Sequence, residues 1–390
     1  MHRIPYWRLS GFYFFYFAFI GVFLPYFGLY LQTLSFSAWD ISVLMSQMQL
    51  MRLFGPYLWG TLADRFVSRV PIIRLAGLIA LMASASFFHI RSFEAILVAM
   101  AVLSFFWSAT LPLVETLTFE HLRENPERYS RIRIWGSIGF IVAVMGAGAL
   151  LDHVKLPSML WMIVFALAGT LLYAIVIPEA EPALHHADHP PVLEILRQRR
   201  VVALFSACFS MSAAHGALYV FYSIFLSDHG YSKSVVGGLW SLGVLAEIAV
   251  FFYMSRLLRV FGLRTILLLS FSAAVVRFMM IGWGVEQPFV LVFAQVLHGL
   301  TFGSFHAAAI TVVNRWFLGR TRSRGQALYS SLTFGAGGLV GGLISGWTWD
   351  HLGGELTFAL SSIFALIGLI LVMVWIRETD VATHQVPYPV

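Results

Sequence analysis

EAEPALHHADHPPVLEILRQRR, residues 179–200, is the one long polar interruption in an otherwise apolar chain of 390 residues. Its prolines, histidines and charges mark a loop rather than a regular element. Reading outward from it, apolar runs of roughly 20 residues, long enough to cross the hydrocarbon of a bilayer, recur six times on either side. On the N-terminal side they fall near 7–33, 40–63, 70–89, 93–119, 132–151 and 157–178. On the C-terminal side they fall near 201–227, 235–255, 264–283, 288–313, 325–349 and 355–376. With 59% hydrophobic and 11% charged residues and a mean hydropathy of +0.80, the composition excludes a soluble globular domain. The sequence predicts an all-α membrane protein of twelve transmembrane helices in two six-helix halves. The expected boundaries are 1–178, a cytoplasmic linker at 179–200, 201–378 and a cytoplasmic tail at 379–390.

Cytoplasmic loops retain Lys and Arg, so the basic residues orient the chain. All but five of the 25 fall on one side of this topology; Arg91, Lys155 and Lys233 lie on the other, and Arg52 and Arg277 lie within spans. Both termini are expected in the cytoplasm, with the chain in a bacterial inner membrane. Short clusters between helices, such as Arg65, Arg69 and Arg74, account for the net charge of +6 without a nucleic-acid partner. The first apolar run is too long for a signal-peptide core and lacks a small-residue cleavage site, so it is expected to stay as the first helix. Cys208 is the single cysteine and excludes an intramolecular disulfide. No Gly-rich loop ends in Gly-Lys-Ser/Thr, which argues against nucleotide-driven transport. Nothing in the chain reads as a nucleophile, a metal set or a cofactor loop, so an enzyme is not expected. The HHADH cluster at 185–189 has spacing that suits a metal but no scaffold, and it reads as a solvated loop.

A parallel repeat runs across the linker. GTLADRFVSR (60–69) follows the second span as SRLLRVFGLR (255–264) follows the eighth, and RIRIWGSIGF (131–140) opens the fifth as SRGQALYSSLTFG (323–335) opens the eleventh. Two halves that rock about a midplane site follow from such a repeat. Glycines concentrated in the fifth and eleventh spans let helix backbones approach closely in lipid.

The stretch from Gly60 to Asp64 and Arg65 resembles the loop signature of the major facilitator superfamily, at that family's position between the second and third helices. Its continuation departs from the family pattern at Val67, Ser68 and Arg69. In the lactose permease branch a Glu of the fourth helix and an Arg of the fifth bind the sugar; Glu115 and Arg133 match these, with Trp135 and Gly136 just after. That branch also carries the equivalents of Glu247, Arg277 and His298, whereas Thr301 replaces its proton-carrying Glu. The bacterial 3-phenylpropionate permease family is a closer likeness. AAHGALYVFYSIF (213–225), LWSLGVLAEI (239–248), VVRF (275–278) and VLHGLTFGSFHAAA (296–309) are similar to its seventh to tenth helices, including His215, His298 and His306. Arg52, followed by Leu53, Phe54 and Gly55, also matches that family.

The polar residues inside spans carry the functional reading, because a charge at mid-bilayer usually faces a polar interior. Arg52 cannot shed its proton and forks naturally onto a carboxylate. It reads either as a clamp for a substrate carboxylate or as a structural partner of Glu115 or of a helix-end carbonyl. Glu247, placed at mid-depth with Arg277 and His298, reads as a proton switch, as part of a permanent ion pair or as a direct substrate contact. His298 and His215 read as proton or substrate handlers or as packing residues, with His306 nearer the cytoplasmic end. Glu115 and Arg133 read as substrate contacts, as a gate or as an ion pair, and Phe140 as a stacking partner for an aromatic ring. Asp64 and Arg65 are expected to stabilise one conformation.

The expected function is proton-coupled import of a small organic solute, with an aromatic monocarboxylate implied by the family likeness. A sugar or nucleoside symporter, a proton-antiport drug exporter and a non-transporting membrane sensor are the alternatives. The expected partners are a small solute, protons and the lipid bilayer, with a monomeric chain, no metal and no cofactor beyond the proton gradient.

Overall fold

Each of the twelve apolar runs is helical in the computed structural model, which describes residues 4–66, 68–123, 125–180 and 192–377. The first six helices are α1 (Tyr6–Thr33), α2 (Ala38–Phe66), α3 (Val70–Ser86), α4 (Phe93–Leu122), α5 (Tyr129–Leu151) and α6 (Leu156–Val176). The second six are α7 (Arg199–Asp228), α8 (233–261), α9 (263–283), α10 (Pro288–Trp316), α11 (Arg322–Leu352) and α12 (Gly354–Trp375). Helices α8 and α9 follow one another without a loop and are separated at Gly262, whose φ of 73° lies where a Cβ would be strained. Among the described residues there is no strand. In lipid every backbone polar group must be satisfied within the chain, and a helix does so locally. Large apolar side chains such as Phe165, Phe252 and Phe289 are exposed, as a surface bathed in lipid allows. The core of α1 is aromatic instead, with Tyr13, Tyr16, Phe19, Phe23, Tyr26 and Tyr30 buried.

Two compact units divide the described chain. One holds α1 to α6 together with Tyr219–Ser241 and Gly342–His351; the other holds the remainder of α7, α8 and α11 with α9, α10 and α12. In the first unit α1 packs along α5 and α6, α4 along α2 and α3, and α3 against α6. In the second, the first part of α7 packs along α12 and along residues 331–337 of α11. The pairing of α1 with α5 and α6 thus recurs as that of α7 with α11 and α12. Glycine makes both contacts possible: a Cβ on Gly139 would overlap the Phe14 backbone, and one on Gly337 would overlap the Phe209 backbone.

Three departures from regular helix fall in the C-terminal half. Helix α7 is interrupted at His215, between Arg199–Ala214 and Gly216–Asp228. Residues Gly299–Ser304 of α10 and Ser331–Gly337 of α11 form π-helical turns. Both turns contain Leu-Thr-Phe-Gly, at 300–303 and 332–335, and their Phe302 and Phe334 rings meet at 6.1 Å. Such turns shift helix register and occur often at functional sites.

Candidate functional site

In the first unit, three of the expected site residues gather around one tyrosine. Tyr16 of α1 is buried and stacks on Trp107 of α4, with ring centroids 4.2 Å apart and planes 5° from parallel. Arg52, Glu115 and Arg133 all act on it electrostatically. Glu115 accepts a hydrogen bond from the Tyr129 hydroxyl at 3.0 Å, and the Arg133 guanidinium lies 4.0 Å from the centre of the Phe17 ring. Attraction between Glu115 and Arg133 therefore acts across a gap: the two form no ion pair within 4.0 Å. Arg52 differs again, because it is exposed and has no hydrogen bond or ion pair among the described residues. A permanent cation in this position retains five N–H donors for an acceptor. Phe140 is buried where α5 meets α1, with its backbone against Gly21.

The second unit holds a contrasting cluster. Arg277 of α9 is fully buried. Its Nε donates to the Ala294 carbonyl at 2.8 Å, one terminal nitrogen donates to the Thr301 hydroxyl at 3.1 Å and to His215 Nε2 at 3.3 Å, and the other donates to Gln295 Oε1 at 3.3 Å. His298 is buried on α10 with its ring 6.0 Å from that of His215, and its Nδ1 has no hydrogen-bond partner. His298, Phe302 and His306 stack in sequence along α10, and His306 Nδ1 meets the Tyr329 hydroxyl at 2.9 Å. Glu247 of α8 packs against Gly303 in the π-helical turn. The structure thus brings His215, Arg277 and His298 together, with Thr301 and Gln295 as members that sequence reasoning did not assign.

Two aspartates at helix C-termini close the first unit at the ends of α5 and α11. Asp152 accepts from the Lys233 amide at 2.7 Å, from the Ser234 amide at 3.1 Å and from the Ser234 hydroxyl. Asp350 accepts from the Ala38 amide at 3.0 Å and the Trp39 amide at 2.9 Å. The next amides are capped from within each receiving helix, that of Asp40 by Ser37 Oγ and that of Val235 by Ser232 Oγ. A helix N-terminus carries unpaired N–H groups and a partial positive charge, so an aspartate there supplies both acceptor and countercharge. Burial raises the Asp152 pKa, but the Ser234 hydroxyl and amide, the Lys233 amide and the Lys233 charge outweigh it and hold the carboxyl below its ordinary range. Each clasp is thus a C-terminal aspartate set on the first turn of a helix from the other half of the sequence.

Of the expected gating pair, Arg65 is exposed on α2, and the Asp64 side chain lies outside the described residues. So do the HHADH cluster and the C-terminal tail from residue 378.

Over residues 6–360 the sequence matches the MFS_1 like family. The chain belongs to that family. It is therefore a membrane transporter of the major facilitator type, and its fold is that of the superfamily. The probable 3-phenylpropionic acid transporter of Escherichia coli is 28% identical over 356 residues, covering 89% of this chain and 92% of that one. The maltose permease of Geobacillus stearothermophilus is 25% identical over 380 residues, covering 96% and 95%. In structure, the nucleoside transporter NupG superposes with a TM-score of 0.82 at 20% identity, covering 95% of this chain and 98% of that one. Proteins similar to this chain in sequence or structure are thus named for an aromatic acid, a sugar and nucleosides.

Proposed function

We propose that this transporter carries a small aromatic carboxylate, of the 3-phenylpropionate class, inward with protons across a bacterial inner membrane. The observation that carries the reading is Arg52: an exposed cation within a span, without a protein partner, beside the stacked rings of Tyr16 and Trp107. A carboxylate would satisfy the guanidinium through paired charge-assisted hydrogen bonds, and an aromatic ring would meet the adjacent aromatic surface. Arg277, by contrast, has no exposed surface for a solute. Its cluster suits proton handling, with the coupling proton on Glu247 or on the unpartnered Nδ1 of His298. Identity to the E. coli probable 3-phenylpropionic acid transporter supports the same solute class. The reading keeps both termini in the cytoplasm and a monomeric carrier. Its cycle alternates access about a midplane site, with the Asp152 and Asp350 clasps broken when their face opens and Asp64 and Arg65 favouring one state.

A second reading is favoured by Glu115 and Arg133. Tyr129 holds the carboxylate and Phe17 faces the guanidinium, an arrangement that offers an acceptor and a donor to a sugar or nucleoside hydroxyl. Uptake into proteoliposomes separates the two. One proton with one monoanion moves no net charge, whereas one proton with a neutral solute moves one charge, worth about 2.3 kcal/mol per 100 mV. The carboxylate reading expects 3-phenylpropionate uptake driven by a pH gradient and indifferent to voltage. Voltage-driven uptake of maltose or a nucleoside, with none of the carboxylate, overturns it.

A further inference from the structure

We infer that His215 is a positioning residue, held neutral with its proton on Nδ1, and that its Nε2 lone pair fixes the Arg277 guanidinium. Donor and acceptor chemistry at the two ring nitrogens points to this tautomer. His215 Nδ1 lies 2.8 Å from the Met211 carbonyl, and a carbonyl oxygen only accepts, so Nδ1 carries the hydrogen. His215 Nε2 lies 3.3 Å from an Arg277 terminal nitrogen, and a guanidinium only donates, so Nε2 presents its lone pair. The Thr301 hydroxyl, 3.4 Å from Nε2, can donate or accept and suits either form, whereas the carbonyl and the guanidinium each demand the same neutral tautomer. Protonating Nε2 would set two N–H donors against each other and place two cations together where His215 is 2% and Arg277 0% exposed.

The sequence explains why Nδ1 finds a carbonyl. Met211 lies one turn before His215, and the helix of α7 is interrupted at His215. The charged and titratable groups around the ring point the same way. Arg277 faces it from α9 and His298 from α10, while Glu247 stands on α8 against Gly303 of the neighbouring π-helical turn. Helix α12 has no titratable residue between Glu355 and Arg377, and α11 has none between Tyr329 and Asp350. No acid on either helix is placed to stabilise a His215 cation. His215 is therefore a fixed acceptor, which leaves His298, with its unpartnered Nδ1, as the neighbouring histidine without such a constraint. The tautomer stands apart from any substrate; the positioning role rests on the transport reading above.

The test has two arms. In protein labelled with ¹⁵N-histidine and held in detergent, long-range imidazole spectra distinguish the two neutral tautomers and the cation. His215, assigned by the signal lost in His215→Gln or altered in Arg277→Gln, is expected to remain the Nδ1–H tautomer from about pH 5 to about pH 8. A His215 that titrates in this interval, or that carries its proton on Nε2, overturns the assignment. The second arm is uptake of 3-phenylpropionate into proteoliposomes. Glutamine places a neutral amide oxygen near the position of Nε2, so His215→Gln is expected to keep pH-driven uptake within about threefold with an unchanged pH profile. His215→Leu leaves a buried donor without its acceptor and is expected to lose about tenfold or more. A His215→Gln protein that exchanges solute but no longer accumulates it would make His215 the proton carrier. Should wild-type protein take up no 3-phenylpropionate, the substrate reading fails while the imidazole spectra still decide the tautomer.

Discussion

Arg52 and Arg277 are both arginines within spans, one in each half of the sequence, and their surroundings differ in every respect. Arg52 is exposed and has no described partner; Arg277 is fully buried and donates to a carbonyl, a hydroxyl, an amide oxygen and an imidazole. The hydrogen-bonding capacity of the first is unused among the described residues. The second uses its donors to tie α9 to α10 and α7. Residue type alone therefore says little about role, because exposure and the number of acceptors already engaged decide whether an arginine can bind a solute anion.

The largest effect expected from breaking this contrast is on stability. Arg277→Met strands His215 Nε2, Gln295 Oε1 and the Ala294 carbonyl together, and should cost about 3 kcal/mol or more, seen as a lowered melting temperature in detergent. A variant that melts with wild-type protein would show that the cluster is not built around the guanidinium. Arg52→Gln should leave stability within about 0.5 kcal/mol yet reduce carboxylate uptake about 10- to 100-fold, the value of a charge-assisted hydrogen bond.

Next comes the clasp pair, which sharpens the comparison by testing the first unit away from Arg52. Asp152→Ala should cost about 1 kcal/mol and speed hydrogen exchange at the Lys233 and Ser234 amides, with no change at Ala38 and Trp39. The Asp152 carboxyl is held below its ordinary range. Its contribution is thus complete above the ordinary aspartate pKa and is lost only as pH falls through the lowered one. Acidifying from pH 7 to about pH 5 should therefore leave these amides protected. Smallest is Phe17→Leu, expected to cost about 0.5 to 1 kcal/mol through the lost cation–π contact. A double-mutant cycle with Arg133→Gln measures that coupling.

Much of the fold is legible in the chain. The polar stretch at 179–200 separates six apolar runs from six because lipid permits few other arrangements, and each run is helical. Arg52, Glu247, Arg277 and His298 stand out for the same reason: an ionisable group in an apolar run is costly and so is rarely accidental. The partners of Glu115, Arg133 and Arg277 are not legible, since Tyr129, Phe17, Thr301 and Gln295 are ordinary residues whose importance comes from three-dimensional placement. Two signals were nonetheless present. Leu-Asp-His at 151–153 and Trp-Asp-His at 349–351 end α5 and α11, while Ser-Ala-Trp at 37–39 and Ser-Lys-Ser at 232–234 open α2 and α8. The repeated Leu-Thr-Phe-Gly marks both π-helical turns. The first is a feature of the internal repeat, and comparing the halves residue by residue exposes it; the second lies within the C-terminal half alone.

Arg52, and not Arg277, is expected to recognise the solute. Calorimetric titration of 3-phenylpropionate into purified wild-type, Arg52→Gln and Arg277→Lys proteins in detergent tests it most directly. Binding by wild-type protein, lost in folded Arg52→Gln and retained in Arg277→Lys, is the predicted result. Undiminished binding by Arg52→Gln, or loss confined to a folded Arg277→Lys protein, would contradict the account.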